Sequence, residues 1–169
     1  MALPSIIDPR KLAQQQALYE GNVAADALPR FAEAVLTVES PLQARVEFEI
    51  NQSRKPCVNG QLSITATVPC QRCLEPVTIE VGAEFALEVV WNEEQAAKIV
   101  KRTDSWIVAE RQANLVELLE DELLLALPVV SYHAEGGCAA DLRELLPVEQ
   151  QQAAASDNPF AVLAALKKH

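Results

Sequence analysis

Strict alternation of apolar and polar residues runs through the middle of the chain. Every second position is apolar in RVEFEI at 45–50 and in QLSITATV at 61–68. The longest run is VTIEVGAEFALEVVW at 77–91, in which eight apolar residues from Val77 to Trp91 share one face. A period of two places one face of a strand against a core and the other in water. The pattern therefore predicts a mostly antiparallel sheet.

Glycines within this region predict interruptions of the strands. Asn59-Gly60 is a turn signal before the second run, because both residues tolerate the backbone angles of a tight hairpin. Gly82 lies inside the fifteen-residue third run, where an interior glycine predicts a bend or a bulge. The sheet is thus expected to be curved, and enough curvature would make it barrel-like.

A different periodicity predicts helices on either side of the strands. DPRKLAQQQALYEG at 8–21 begins with Asp8 as a cap and Pro9 at the first helical position, and Gly21 would end it. The clearest helix is NLVELLEDELLLALP at 114–128, capped by Asn114 and ended by Pro128. We expect its leucines to cover the buried face of the sheet, with a solvated acidic face formed by Glu117, Glu120, Asp121 and Glu122.

The pattern divides the chain into three parts. Residues 1–148 form a single α+β domain, in which the Leu-rich acidic helix covers a curved, mostly antiparallel sheet. Residues 149–157 are polar without apolar periodicity and are expected to be a linker. Residues 158–169 are predicted to be a flexible amphipathic tail that either completes the core or docks on a partner. Its contact residues would be Asn158, Pro159, Phe160, Lys167 and Lys168.

Charge restricts the possible partners. The formal net charge is −10, and residues 81–169 carry −8 of it, with seven basic and fifteen acidic residues. Binding a nucleic-acid backbone over a broad face needs the opposite sign. A direct RNA contact must therefore use a small local patch, whereas the acidic half would suit a basic protein. We see no signal peptide and no apolar run long enough for a membrane helix, so we expect a cytoplasmic protein without a membrane partner.

The thiols carry the strongest chemical signal, and they leave three interpretations open. Cys70 and Cys73 have the C-x-x-C spacing of a metal knuckle, and His133 with Cys138 could supply the other two ligands of a tetrahedral zinc site. A redox dithiol is a second interpretation, although only Arg72 is near enough in sequence to stabilise a thiolate. The third is an ordinary turn with unmetallated thiols. Cys57 has no partner in sequence and is expected to be a small buried residue.

Three basic residues could form the local RNA patch. Arg54 and Lys55 lie in a turn-like segment, and Arg72 lies inside the C-x-x-C stretch, so all three could share one edge of the sheet. Scattered surface charges are the alternative. Aromatic residues make up only 5% of the chain, which gives little support to a stacking platform for single-stranded RNA.

With these residues identified, the chain resembles the YceD family, named for accumulation of the large-subunit ribosomal RNA. The matching pieces are CQRCLEP at 70–76, VELLEDELLLALPVV at 116–130, His133 followed by Cys138, and NPFAVLAALKK at 158–168. The resemblance implies a non-enzymatic role in the synthesis, processing or stability of 23S rRNA, and so in large ribosomal subunit assembly. Its partner would be 23S rRNA or its precursor, reached directly or through a ribosome-assembly protein. The rival hypotheses are a zinc-stabilised protein–protein adaptor without RNA contact and a C-x-x-C dithiol oxidoreductase.

Overall fold

The structure, a computed structural model, describes residues 3–99, 104–134 and 136–138. Four α-helices, one short 3-10 helix (Ala25–Ala27) and eight strands cover most of this part of the chain. In chain order they are β1 (Ile6–Ile7), α1 (Pro9–Gln15), β2 (Leu18–Val23), α2 (Pro29–Ala34), β3 (Thr37–Val38), β4 (Leu42–Ile50), β5 (Pro56–Pro69), β6 (Pro76–Val90), α3 (Glu93–Ala96), β7 (Asp104–Ile107), β8 (Ala113–Asn114) and α4 (Leu115–Ala126). The predicted α+β class is confirmed.

One six-stranded sheet organises the fold. Its strands run in the order β2-β4-β5-β6-β7, with β3 paired to β5 beside this path, and β1 with β8 forms a separate pair. Every pairing is antiparallel except that of β6 with β7. In the described residues the path is open, with β2 at one end and β7 at the other, so the barrel-like version of the prediction is wrong.

The two long central strands pair without interruption. The register runs from Cys57 opposite Glu88 to Pro69 opposite Pro76, so the predicted turn at Asn59-Gly60 and the predicted bulge at Gly82 are both wrong. Gly60 is instead the residue opposite Phe85, and a Cβ at position 60 would overlap the Phe85 ring. The glycine makes room for a cross-strand aromatic ring, a requirement that a local turn pattern does not reveal.

The first helix ends earlier than predicted. Gln16 adopts a left-handed conformation with φ of 52° and ends α1 after Gln15. Leu18 to Val23 then form β2, whose ladder with β4 brings the Tyr19 and Phe48 rings edge to face with centroids 6.2 Å apart. Pairing with β4 outweighs the weak helical preference of this segment.

Helix α4 is placed by its cap and by its leucines. The Asn114 side chain accepts hydrogen bonds from the backbone N–H groups of Val116 and Glu117, as an N-cap should. Leu115, Leu118, Leu119 and Leu123 are buried in the core. The predicted acidic face is wrong at one position, because Glu120 is only 4% exposed. Its carboxylate accepts from the backbone N–H groups of Arg30 and Phe31 and from Arg30 Nε, so it joins α4 to the start of α2.

The predicted linker and the tail residues Asn158, Pro159, Phe160, Lys167 and Lys168 lie outside the described residues. The single domain to residue 148 also stays a prediction. None of the described helices is both long enough and apolar enough to cross a bilayer.

Candidate metal centre

The C-x-x-C stretch forms the turn between β5 and β6. The backbone N–H of Cys70 donates to the Glu75 carbonyl at 2.9 Å, and the Leu74 N–H donates to the Cys70 carbonyl at 2.8 Å. Leu74 has a φ of 63°, which turns the chain back toward β6. The Arg72 N–H points at Cys70 Sγ from 3.5 Å. The turn therefore presents both thiols on one side, with backbone donors aimed at a sulfur.

A second segment lies against this turn after α4. The Gln71 N–H donates to the carbonyl of Ser131 at 2.8 Å, and Ser131 is buried. One residue on, the Tyr132 ring lies 5.4 Å from the guanidinium carbon of Arg72. These contacts bring residues 131–134 and 136–138 alongside residues 70–75, and we call these segments together the knuckle end.

The knuckle end brings the four predicted ligands together. One ligand atom from each of Cys70, Cys73, His133 and Cys138 lies within 4.8 Å of all the others. The Cys70 and Cys138 sulfurs are 3.9 Å apart, and His133 Nδ1 lies 3.4 Å from Cys73 Sγ and 3.7 Å from Cys138 Sγ. In a tetrahedral zinc site, sulfurs at ~2.3 Å from the metal lie roughly 3.8 Å apart. The four side chains can accept such an ion with little movement.

The histidine is held in the tautomer that a metal site requires. His133 Nε2 lies 3.0 Å from the Pro76 carbonyl oxygen. A carbonyl can only accept, so Nε2 carries a proton, and whenever the ring is neutral the lone pair of Nδ1 faces the sulfurs. A metal-bound histidine characteristically donates its other N–H to such a carbonyl, which fixes the orientation of the ring.

The electrostatics of the cluster favour a cation at its centre. Burial opposes ionisation of the Cys70 thiol, but hydrogen bonds from the backbone N–H groups of Cys73, Arg72 and His133 outweigh it and lower the pKa of Cys70 to about 5. Burial, together with hydrogen bonds and repulsion from the neighbouring thiols, raises the pKa of Cys138 to about 11. Without a metal, Cys138 therefore keeps its proton at neutral pH, and a divalent cation would stabilise its thiolate and release that proton. The expectation that only Arg72 could stabilise a thiolate is wrong, since backbone N–H groups do so.

The three predicted basic residues are not brought to one edge. Arg54 and Lys55 lie in the turn between β4 and β5, whereas Arg72 lies in the turn between β5 and β6. These turns are at opposite ends of β5, which at about 3.3 Å per residue is roughly 45 Å long. Lys55 Nζ also pairs with Glu88, a buried carboxylate, at 2.6 Å. A single patch that contains all three residues is excluded.

Two residues that orient the cluster were not predicted from the sequence. Ser131 and Pro76 act through their carbonyl oxygens, which accept from Gln71 and from His133 respectively. Backbone acceptors have no residue-type signature, so the sequence offers little signal for them. The proline just after C-x-x-C was visible, but its carbonyl could be paired with His133 only once the fold was known.

Comparisons with known proteins identify the family of this chain. Residues 58–167 match the family model described as "Large ribosomal RNA subunit accumulation protein YceD". A protein of that name from Haemophilus influenzae is 35% identical over 168 residues, which cover 98% of this chain and 97% of the relative. No solved structure matches the chain significantly. The chain therefore belongs to the YceD family.

Proposed function

We propose that this protein supports the synthesis, processing or stability of 23S rRNA in the cytoplasm, and thereby large ribosomal subunit assembly, by binding and not by catalysis. The observation that carries the proposal is the near full-length similarity to a relative whose name states accumulation of the large ribosomal RNA subunit. 23S rRNA or its precursor is the partner, reached directly or through a ribosome-assembly protein.

The same proposal assigns zinc to Cys70, Cys73, His133 and Cys138. Three sulfurs and one imidazole nitrogen are soft and borderline ligands, which suit zinc and do not suit magnesium or calcium. The chain supplies all four ligands of a tetrahedron, so no position remains open for a reacting water. Closed sites of this kind are structural, and here the metal would fasten residues 131–138 to the β5–β6 turn.

Depletion of the protein in its native host tests the ribosomal role. We expect the ratio of 23S to 16S rRNA to fall, and pulse labelling to show whether synthesis, processing or decay of the 23S species is affected. Wild-type protein should restore the ratio. Depletion with an unchanged 23S to 16S ratio would contradict the proposal.

Metal analysis of the purified chain tests the zinc assignment and its redox rival together. We expect one zinc per chain in the wild type, loss of zinc in Cys70→Ser, and retention in Cys57→Ser, since Cys57 lies in β5 away from the cluster. A metal-free protein that reduces disulfides through Cys73 would support the oxidoreductase. A zinc protein that co-purifies with ribosome-assembly proteins but never crosslinks to RNA would support the adaptor.

A further inference from the structure

Basic residues of the described chain are concentrated at one place. The described residues include nine Lys or Arg residues. Six of them line two adjoining clefts near the β4–β5 turn and the end of β6: Arg10, Lys11, Arg54, Lys55, Lys98 and Arg111. The clefts contain only two acidic residues, Asp8 and Glu88, which pair with Arg111 and Lys55. In a protein with a net charge of −10, this surface, which we call the basic end, has the opposite sign.

The three remaining cations of the described chain are engaged elsewhere. Arg30 pairs with Glu120 and Asp121, and Arg45 pairs with Glu20. Arg72 lies over the Tyr132 ring at the knuckle end. The concentration of charge at the basic end is therefore not a general property of the surface.

A tryptophan stands between the two clefts. Trp91 lines both of them and is 47% exposed, although it continues the apolar face of β6. The guanidinium carbon of Arg10 lies 3.3 Å from the centre of the ring, so one face of the indole is covered. With Arg10 in place the side chain is still about half exposed, and each of the two clefts that it lines has a volume of about 500 Å³.

Hydrogen bonds position both Arg10 and the backbone of Trp91. Arg10 donates to the carbonyl oxygens of Val90, Val108 and Glu110 at distances of 2.7–3.2 Å, so its guanidinium is fixed between α1 and the end of β6. The Trp91 backbone N–H donates to the Gln95 side chain at 3.0 Å. Because Arg10 and Trp91 are already positioned, a ring that stacks on the open face would need little reorganisation.

Two cations near the tryptophan remain available to a ligand. Among the described residues, neither Arg54 nor Lys98 takes part in an ion pair, and both side chains are exposed. The Arg54 backbone is set by a tight turn, in which its N–H donates to the Asn51 carbonyl at 2.9 Å and its φ is 60°. Arg54 thus projects from a defined position at the mouth of the cleft.

We propose that the basic end binds single-stranded RNA, with one base stacked on the open face of Trp91 and the adjacent phosphates contacted by Arg54 and Lys98. Exposed aromatic rings beside cations bind unpaired nucleotides in this way. Double-stranded RNA fits this site less well, because its bases are already stacked on one another. Its backbone would also extend onto the acidic remainder of the protein surface. The proposal rests on the ribosomal role proposed above and assigns its RNA contact to one end of the sheet.

Binding of a labelled single-stranded polyuridine of about 12 nucleotides to the full chain tests the proposal. We expect the Arg54→Gln, Lys98→Gln double variant to bind ~10-fold more weakly, with a salt slope lower by about 1.4, because two phosphate contacts are lost. Arg45→Gln with Arg72→Gln is the matched control, since it removes the same charge elsewhere, and its affinity and slope should equal those of the wild type.

Tryptophan fluorescence tests the stacking separately. RNA should quench the fluorescence of the wild type and of Trp106→Phe but not that of Trp91→Phe. Phenylalanine preserves a stacking ring, so Trp91→Phe should keep its affinity within a few-fold, whereas Trp91→Ala should lose on the order of 10-fold. Circular dichroism on both variants separates lost stacking from lost folding.

Four results would overturn the proposal. The first is an equal loss of RNA affinity in the Arg54→Gln, Lys98→Gln variant and in the Arg45→Gln, Arg72→Gln control. The second is RNA binding that does not quench the fluorescence of Trp91. The third is binding of a polyglutamate peptide in place of RNA, which would make the basic end a protein-docking surface. If the wild type binds no RNA while depletion still lowers 23S rRNA, this site assignment is wrong and the ribosomal role stands.

Discussion

The two ends of strand β5 use different chemistry. At the knuckle end, three thiols and an imidazole converge within 4.8 Å, and backbone N–H groups and carbonyls orient them. At the basic end, cations from α1, the β4–β5 turn and the segment after α3 surround one exposed indole. The first arrangement suits a small ion that the chain encloses, and the second suits an extended polyanion that the chain contacts from one side. We infer that one end stabilises the fold and the other binds its partner.

Removal of the metal is expected to have the largest effect and to be confined to the knuckle end. Cys70→Ser, or zinc chelation of the wild type, should lower the unfolding free energy by about 4 kcal/mol, the value for loss of a ligand present at roughly 1,000 times its Kd. Hydrogen exchange should accelerate in residues 70–75 and 131–138 and change little in residues 51–55. Cys57→Ser is the control. If removal of the metal accelerated hydrogen exchange equally at both ends of β5, the metal would not act on the knuckle end alone.

A substitution in the middle of β5 should instead weaken both ends together. Gly60→Ala places a Cβ into the Phe85 ring, and we expect a loss of about 3 kcal/mol in chemical denaturation. Gly82→Ala is the matched control, because its new Cβ would meet only the Leu62 carbonyl at 3.6 Å, an ordinary contact. Its cost should stay below about 1 kcal/mol. Similar losses of unfolding free energy in the two variants would show that the Phe85 ring moves aside freely.

Loss of one ion pair should weaken only the basic end. Lys55→Met leaves the Glu88 carboxylate buried without its partner, and we expect a loss of about 2 kcal/mol, reduced from the fully buried case because Lys55 is half exposed. Adding Glu88→Gln to Lys55→Met should restore most of the stability. Zinc content should not change in either variant. A Lys55→Met protein as stable as the wild type would show that water reaches Glu88.

The smallest effect is expected for Arg72, the cation displayed at the knuckle end. Its contact with the Tyr132 ring is exposed, so Arg72→Gln should cost about 0.5 kcal/mol and leave zinc content and RNA affinity within experimental error. A tenfold loss of RNA affinity in Arg72→Gln would transfer the RNA contact to the knuckle end.

The sequence revealed the knuckle end far better than the basic end. Cysteine and histidine have few common roles, so the spacing of Cys70, Cys73, His133 and Cys138 identified a candidate cluster before the fold was known. Arg10 and Lys98 are ordinary surface residue types, and only the fold brings them near Arg54. Trp91 was predicted to be buried because it continues the alternation of β6, but the strand ends at Val90, one residue before it.

In the fold, patterns that extend over many residues predicted the structure well, whereas short signals did not. Alternation over many residues predicted β4, β5 and β6, and the leucine spacing with Asn114 predicted α4, because each pattern follows from burial of one continuous face. Short signals failed where tertiary contacts decided the outcome. Gly60 makes room for Phe85 instead of forming a turn, and Glu120 is buried because two N–H groups at the start of α2 need an acceptor.

Crosslinking in cells tests the central claim most directly. Ultraviolet irradiation of the native host, followed by purification of the full-length protein and mass spectrometry of the nucleotide-bearing peptides, reports both the RNA and the contact residue. We expect 23S rRNA sequence attached to the peptide that contains Trp91 or to the β4–β5 turn with Arg54. Crosslinks confined to residues 70–75 or 131–138, or protein recovered without any 23S rRNA, would contradict it.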